Sequence, residues 1–304
     1  MKFQIILVLS MKLWLMINSL AFAMSFSDEF DQDIDLLNNN TSQWSVLGID
    51  VMDERAVEIS MSGGLLTVIP DSFTQNAWFE DEYGPLVYQE VTGNFAVAIS
   101  LRVSQENDID LPPASGFNAG GFVIRDPVGT HNGDENWVMY NMGGQGQNGV
   151  DYAREMKKTV NSTSNLFLTE QVGLEEYLLA CRVGDQFYFY YWADAIGAWR
   201  QEAYYNEFDV DGVVTSTWRN SGSVTPEITI PGVNQSSPMY FDHASMPSTI
   251  QLGIMGHTWN NNSNGIRADF DFIRFAVNVP QTQQDCTTEF LNIDEDLIFA
   301  NGFE

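Results

Sequence analysis

The sequence predicts an all-β fold, a two-sheet antiparallel sandwich, from three observations. First, runs that alternate bulky apolar residues with small or polar ones recur along the chain, most clearly NFAVAISLRV (94–103). Second, Gly, Asn and Asp residues, which favour turns, separate these runs. Third, no amphipathic helix is recognisable between them, so the strands must bury their apolar faces against other strands.

The amino-terminal segment is set apart from this domain. Residues 1–23 begin with Met1-Lys2, continue with a long apolar run and end in Ala21-Phe22-Ala23. This is the pattern of a secretory signal peptide cleaved after about Ala23. The alternative is a membrane anchor, although no basic cluster follows the apolar run. We therefore expect an exported protein, secreted or at the cell surface, with no membrane-inserted segment in its mature part.

The charge of the chain excludes some partners. The net charge is −28, and removing residues 1–23 takes away Lys2 and Lys12 but no acidic residue, which brings it to −30. Phosphate-rich partners are bound by Lys and Arg, so an acidic chain of this kind is not expected to bind nucleic acid or anionic membranes.

Successive strands follow from local patterns. In the hairpin 174–192, Tyr177, Leu179, Cys181 and Val183 share one face, and Gly184-Asp185 makes the turn. The returning strand carries aromatic residues on both faces, so both faces are covered or one lines a groove. Further strands are predicted at 63–70, 118–126, 136–142, 250–257 and 268–277.

Two regions do not fit this pattern. Residues 205–248 form a long polar excursion that is functional or disordered, and residues 278–304 form an acidic tail ending in IFANGFE. The domain is therefore assigned to residues 24–277. The tail resembles a short ending found on many exported proteins of gammaproteobacteria, which implies a sorting address; the alternative is an apolar end that docks on the domain.

The two cysteines, Cys181 and Cys286, leave two interpretations open. An exported protein can join them in a disulfide. Alternatively, Cys181 is a small apolar residue of a buried strand. Neither cysteine has the spacing of a metal or redox site.

The order of the segments carries a family resemblance. SFSDEFD (25–31), GGLLTVIP (63–70), AGGFVIRD (119–126), ENWVMYN (135–141) and IQLGIMGH (250–257) occur in sequence with the hairpin and ADFDFIRF. Over residues 25–277 this resembles the concanavalin A-like lectin/glucanase superfamily, in particular the laminin G-like and regulation-of-enolase-type modules attached to bacterial carbohydrate enzymes. The resemblance implies a concanavalin A-like jelly roll, but fold similarity alone assigns no chemistry.

The resemblance also implies a structural Ca²⁺ ion between the first and last strands. Alternation places Phe270 and Phe272 on one face of the last strand, with Asp269, Asp271 and Ile273 on the other. Carboxylates beside a core must be solvated, paired or bound to a cation. The alternative to calcium is that these carboxylates are solvated or pair with Arg267 or Arg274. The implied oxygen ligands are Asp28, Glu29, Asp31 and Asp271.

Catalytic patterns of the family are missing. The glucanases of this superfamily carry Glu-x-Asp-x-x-Glu or Glu-x-Asp-x-Glu on one strand, and neither spacing occurs here. The three histidines, at 131, 243 and 257, form no nucleophile or zinc pattern. The sequence therefore names no catalytic residue.

Binding of a polysaccharide or glycan requires no catalytic motif. It requires aromatic faces that stack on sugar rings and polar groups that bind the hydroxyls. Core packing or an exposed turn is the alternative for each candidate. The hypothesis is a secreted, non-catalytic, lectin-like protein stabilised by Ca²⁺; a glycoside hydrolase or polysaccharide lyase and a structural or adhesive surface protein are the alternatives. The candidate binding residues are Trp78, Tyr83, Arg125, His131, Trp137, Tyr140, Asn141, His257, Trp259 and Asn260.

Overall fold

The computed structural model describes most of the predicted domain as β-strands. The described residues are 26–39, 41–47, 56–71, 78, 84–128, 133–144, 152–170, 173–202, 217–220, 238–258 and 265–291; the predicted signal peptide lies outside them. The strands are β1 (Ile34–Asp35), β2 (Ser45–Leu47), β3 (Ala56–Ser62), β4 (Leu65–Pro70), β5 (Leu86–Thr92), β6 (Phe95–Gln105), β7 (Asn118–Arg125), β8 (Trp137–Gly144), β9 (Tyr152–Val160), β10 (Thr163–Glu170), β11 (Glu175–Val183), β12 (Gln186–Ala193), β13 (Ala198–Gln201), β14 (Thr217–Asn220), β15 (Tyr240–Asp242), β16 (Thr249–His257) and β17 (Ile266–Phe275).

These strands form two antiparallel sheets. The nine-stranded sheet has the order β1-β3-β4-β17-β6-β11-β12-β13, with β15 also paired to β12. The eight-stranded sheet has the order β14-β10-β9-β8-β7-β16-β5-β2. In each sheet a strand from late in the chain separates two early ones: β17 lies between β4 and β6, and β16 between β5 and β7. The predicted all-β, two-sheet antiparallel jelly-roll sandwich is confirmed.

The main core lies between the two sheets. Strand β6 contributes all five residues that its alternation assigns to the core. They meet Phe122, Ile124, Leu252 and Ile254 of the eight-stranded sheet in one cluster of buried side chains. Period-two alternation therefore predicts the core face of a strand correctly wherever the strand is regular. The five core residues of β6 are Phe95, Val97, Ile99, Leu101 and Val103.

The hairpin of β11 and β12 is covered on both faces, which is one of the two predicted outcomes. Val183 pairs with Gln186, so Gly184 and Asp185 form the two-residue turn, and Gly184 has a φ of 62°. Leu178 and Phe189 face the core between the sheets. The alternate residues form a second apolar layer on the other side of the nine-stranded sheet: Tyr177, Leu179, Cys181, Tyr188, Tyr190 and Trp192.

A 3₁₀ helix, Gln283–Phe290, covers this second layer. Cys286 forms a disulfide with Cys181, and both residues are fully buried. The indole nitrogen of Trp199 also donates a hydrogen bond of 2.9 Å to the carbonyl oxygen of Phe290. The residues that the sequence analysis placed at the start of the tail thus pack on the domain as far as Phe290. The final motif IFANGFE lies outside the described residues.

Strand β17 corrects one prediction. Its register shifts between Phe270 and Phe272, so Asp271 forms a β-bulge. Phe270 therefore packs in the core between the sheets, whereas Phe272 packs in the second layer on the opposite face. The prediction that these two phenylalanines share a face, with Ile273 opposite, is wrong because the extra residue reverses the alternation after Phe270.

Candidate functional site

The outer face of the eight-stranded sheet, turned away from the nine-stranded sheet, carries an unusual number of polar side chains. Trp78 lies over this face, with its ring in edge-to-face contact with Trp137 at a centroid distance of 5.9 Å. The ammonium group of Lys157 donates a hydrogen bond of 2.7 Å to the backbone oxygen of Trp78. Trp78 and Trp137 join Leu86, Val123, Met139 and Met255 in a buried cluster, so this face is covered rather than open.

The buried charges of this face are held in pairs. Arg125 lies 3.4 Å from the carboxylate of Glu135 and donates a hydrogen bond of 2.9 Å to Gln251. Lys157 lies 4.0 Å from the carboxylate of Glu155. Such pairing offsets the free energy lost when charged groups leave water. The arrangement stabilises a covered face and leaves these carboxylates engaged with cations.

His257 is unsuited to proton transfer at neutral pH. Burial, with a smaller effect of the nearby Lys157 charge, lowers its pKa to about 3. Its ring nitrogen Nε2 lies 3.4 Å from Nδ2 of Asn141. The imidazole is therefore neutral at pH 7, and it packs beside Asn141 as part of the covered face.

The predicted glycan-binding residues fall into two groups. Six of them are described, and all six are buried, with exposed fractions of 0 to 3%. Tyr140 points the other way, into the core between the sheets, where its hydroxyl donates a hydrogen bond of 2.8 Å to Glu202. The structure thus brings Trp78, Trp137, Arg125, Asn141 and His257 onto one face but leaves no open surface there. Tyr83, His131, Trp259 and Asn260 lie outside the described residues.

An open cleft lies instead at the edge of this sheet, beside β2 and β5. Its volume is about 650 Å³. Strand β2 pairs with β5 only from Leu86 to Tyr88, so Gln89 and Glu90 continue past the beginning of β2. The half-buried ring of Tyr88 stands between Ser45 on one neighbouring strand and Gly253 on the other. The residues lining this edge cleft are Phe26, Ser42, Gln43, Ser45, Tyr88, Gln89 and Glu90.

Two amide side chains fix the shape of the edge cleft. Gln43 donates a hydrogen bond of 3.2 Å to the backbone oxygen of Ser27. Gln89 donates one of 3.0 Å to the backbone oxygen of Phe26. These contacts hold Phe26 and Ser27 against β5 and against the residues that precede β2. The carboxylate of Glu90 is exposed at the cleft.

The edge cleft is not among the predicted sites, although β5 carries a sequence signal for it. In LVYQEVT, Leu86, Tyr88 and Glu90 alternate with residues of the opposite face. An aromatic ring followed two residues later by an exposed acid marks a strand face that is only partly covered. What the strand alone does not reveal is that Ser42 and Gln43 lie beside it.

Two of the four predicted calcium ligands, Asp28 and Glu29, are engaged with protein groups. Asp28 accepts hydrogen bonds of 2.8 Å from the backbone nitrogen of Phe30 and from the indole nitrogen of Trp44. Both carboxylate oxygens of Glu29 accept hydrogen bonds from Arg274, at 2.7 and 2.8 Å. Burial raises the pKa of Asp271, and Glu29 raises it further.

Within the described part of the chain, no group of three or more His, Cys, Asp or Glu side chains is arranged to hold a metal ion. The acidic cleft of about 360 Å³ beside these residues includes Asp28, Glu29 and Asp31 but not Asp271. An ion would have to displace Arg274 from Glu29, so the described side chains do not form a ready calcium site. Calcium binding stays a prediction.

Asp269 pairs with an arginine, which is one of the alternatives to calcium binding. It is buried, and its carboxylate accepts hydrogen bonds from Arg267 at 2.6 Å and from the hydroxyl of Thr67 at 2.6 Å. These contacts replace its hydration. An arginine therefore neutralises one aspartate of the last strand.

Comparisons with known proteins give a resemblance in shape. No known protein family matches the sequence, and no curated protein matches it either. Among solved structures, a functionally unknown protein from Saccharomyces cerevisiae has a TM-score of 0.48 at 12% identity over 79% of this chain and 98% of its own. A GH43 protein from Bacillus licheniformis has a TM-score of 0.46 at 13% identity, over 83% of this chain and 39% of its own.

A β-1,3-glucanase from Mycobacterium marinum has a TM-score of 0.41 at 9% identity over 83% of this chain and 97% of its own. The structural neighbours thus include glycoside hydrolases. The class assigned here, a two-sheet jelly-roll sandwich, rests on the strand order and register of the protein itself. Within the described residues, no helix has the length and apolar character needed to cross a bilayer.

Proposed function

We propose that this protein is an exported, non-catalytic carbohydrate-binding protein, related to the laminin G-like and regulation-of-enolase-type modules, and that its glycan binds in the edge cleft. The observation that carries the proposal is the ring of Tyr88 in an open cleft of about 650 Å³ among hydroxyl, amide and carboxylate groups. Aromatic rings stack on the apolar faces of sugar rings, and polar groups bind the hydroxyls.

The neighbours of Tyr88 favour stacking. Across the strands, its ring stands beside Ser45 and Gly253, both of which are small. On its inner side, Tyr88 packs against the buried cluster that contains Trp78 and Trp137. The ring is thus supported from below and bordered by small residues, so ordering it for binding costs little conformational entropy.

The buried charge pairs support a non-catalytic role. A glycoside hydrolase needs two carboxyl groups on either side of the scissile bond, one of them able to donate a proton. On the described outer face, Glu135 is paired with Arg125 and Glu155 with Lys157. Neither pair faces the edge cleft, where Glu90 is the one carboxylate among the described lining residues.

The test is binding of the purified protein to neutral polysaccharides, such as xylan and laminarin, by affinity electrophoresis and calorimetry. We expect Tyr88→Ala to weaken binding about fivefold, since one ring stack contributes roughly 1 kcal/mol. The matched control is Tyr240→Ala, which removes an exposed tyrosine from β15 of the other sheet.

Two results would oppose the proposal. Equal effects of the two tyrosine substitutions would remove the edge cleft as the binding site. Release of reducing sugar by the unmodified protein would favour the glycoside hydrolase alternative, whereas no binding to any polysaccharide would leave the structural or adhesive role.

A further inference from the structure

We infer that the edge cleft selects an uncharged, hydroxyl-rich glycan and rejects polysaccharides that carry carboxylate or sulfate groups. This inference rests on the proposed function and names the class of ligand for the same site. Two independent features of the lining carry it: the balance of hydrogen-bond donors and acceptors, and the charge.

Among the described lining residues of the cleft, hydrogen-bond acceptor positions outnumber donors. Gln43 and Gln89 each direct an amide N–H group to a backbone carbonyl, of Ser27 and Phe26 respectively. Each amide retains an oxygen with two lone pairs and a second N–H group, and the carboxylate of Glu90 only accepts. The hydroxyls of Ser42 and Ser45 both donate and accept.

Sugar hydroxyls match such a lining because each O–H group donates a hydrogen bond. Carboxylate and sulfate groups only accept, so Glu90 and the two amide oxygens offer them no hydrogen bond, and the charge of Glu90 repels them. They can use only the donors of the lining, whereas sugar hydroxyls can use both donors and acceptors. Anion sites in proteins use the guanidinium fork of arginine for this purpose.

The charge around the cleft acts in the same direction. None of the described lining residues is Lys or Arg. The cross-strand register aligns Glu90, Gln251 and Arg125, which places one arginine two strands away. That arginine is 3% exposed and is held by Gln251 and Glu135, so it is not available to an anion in the cleft.

The protein as a whole also repels anions. Its net charge, −28 for the full sequence, lowers the average concentration of a polyanion near the protein. Because this effect is screened by salt, it weakens above about 0.1 M ionic strength. Repulsion by Glu90 acts at contact distance inside the cleft, so salt weakens it less. Measurements at two salt concentrations therefore separate the effect of Glu90 from that of the net charge.

The experiment uses pairs of polysaccharides with the same backbone and different charge. Hydroxyethyl cellulose is compared with carboxymethyl cellulose, and methyl-esterified pectin with polygalacturonate, by affinity electrophoresis at 0.05 and 0.5 M NaCl. We expect at least one neutral polymer to bind and its anionic counterpart to bind at least tenfold more weakly at both salt concentrations.

A charge-neutral substitution tests the assignment to this cleft. Glu90→Gln retains the shape of the side chain and adds a donor, so it should reduce the difference between the paired polymers severalfold. Asp242→Asn is the matched control, because it removes one exposed negative charge from β15 of the other sheet. It should leave the difference unchanged.

The outcomes separate the two proposals. Equal or tighter binding of the anionic polymer, weakened by Tyr88→Ala, would overturn the inference and leave the proposed function intact. A difference that Glu90→Gln and Asp242→Asn change equally would overturn the local explanation. Absence of binding to all four polymers would overturn both proposals.

Discussion

The guanidinium of Arg154 lies 3.8 Å from the ring centroid of Tyr191, in the core between the two sheets. The same guanidinium forms ion pairs with Glu202 and, at 3.6 Å, with Glu176. The hydroxyl of Tyr140 donates to Glu202 over 2.8 Å. One buried cation therefore forms ion pairs with two carboxylates, so Arg154 is needed for the stability of the core. Because one negative charge remains in excess, binding of a proton by one of the two carboxyl groups is favoured.

Removing Arg154 should be strongly destabilising. In Arg154→Met the two carboxylates lose their cation inside the protein, and we expect the free energy of unfolding to fall by about 3–5 kcal/mol. Urea unfolding at pH 7, monitored by tryptophan fluorescence, measures this free energy. The control is Arg274→Met, whose partially exposed pair with Glu29 should contribute about 1 kcal/mol or less. Similar losses for both variants would contradict this explanation.

The cluster should also make stability depend on pH. Burial raises the pKa of Glu176 to about 7, partly opposed by Arg154 and increased by Glu202 and Asp194. The folded state therefore binds this proton more tightly than the unfolded state, in which the pKa is near 4.5. The resulting stabilisation is complete below about pH 4.5 and is lost as the pH rises through 7.

Glu176→Gln should remove that dependence. Across pH 4.5 to 8 we expect the unmodified protein to lose about 3 kcal/mol more than the variant, measured by urea unfolding at each pH. The matched control is Glu175→Gln, which removes the adjacent carboxylate, on the opposite face of β11, paired with Arg102. If both variants retained the pH dependence of the unmodified protein, its source would lie elsewhere.

The disulfide should stabilise the second layer. Cys181 and Cys286 are 105 residues apart in sequence, and closing a loop of this length stabilises a protein by roughly 4 kcal/mol. We expect the free energy of unfolding of the double variant Cys181→Ala/Cys286→Ala to be lower by about this amount. Its urea unfolding curve should therefore shift to lower urea concentration. Since both residues are fully buried, dithiothreitol should reduce the native protein only at the rate of unfolding or opening. Rapid reduction without loss of stability would contradict the prediction.

Calcium binding, implied by the family resemblance, has a specific test in Arg274. If Ca²⁺ binds between Glu29 and Asp271, adding it after EDTA should raise Tm by a few degrees. Arg274→Gln should enlarge this rise because it frees both oxygens of Glu29. Asp271→Asn should abolish it. If Ca²⁺ changed Tm in neither the unmodified protein nor Arg274→Gln, calcium would play no part in this fold.

The fold was predictable because alternation is a local property. Residues 95–103 of β6 and both strands of the hairpin have the faces that their sequence assigns. The bulge at Asp271 was not predictable in this way, since DFDFIRF alternates without interruption and the extra residue is set by the pairing of β17 with β6. Strand β14 lies within the polar excursion, where no alternation marks it.

The candidate site was less predictable, because residue type does not reveal what packs above a side chain. Trp137 and Arg125 have the chemistry of a sugar site, but Trp78, from a distant part of the chain, lies over Trp137. Tyr88 and Gln43 come from different segments, and only the pairing of β2 with β5 brings them to one cleft. Such a site arises from strand register rather than from a motif.

The disulfide of Cys286 joins the 3₁₀ helix covalently to β11. It fixes the carboxyl-terminal part of the chain to the outer side of the nine-stranded sheet, whereas Tyr88 lies at the edge of the eight-stranded sheet. While the disulfide is intact, this helix cannot leave the sheet, so the second apolar layer stays covered.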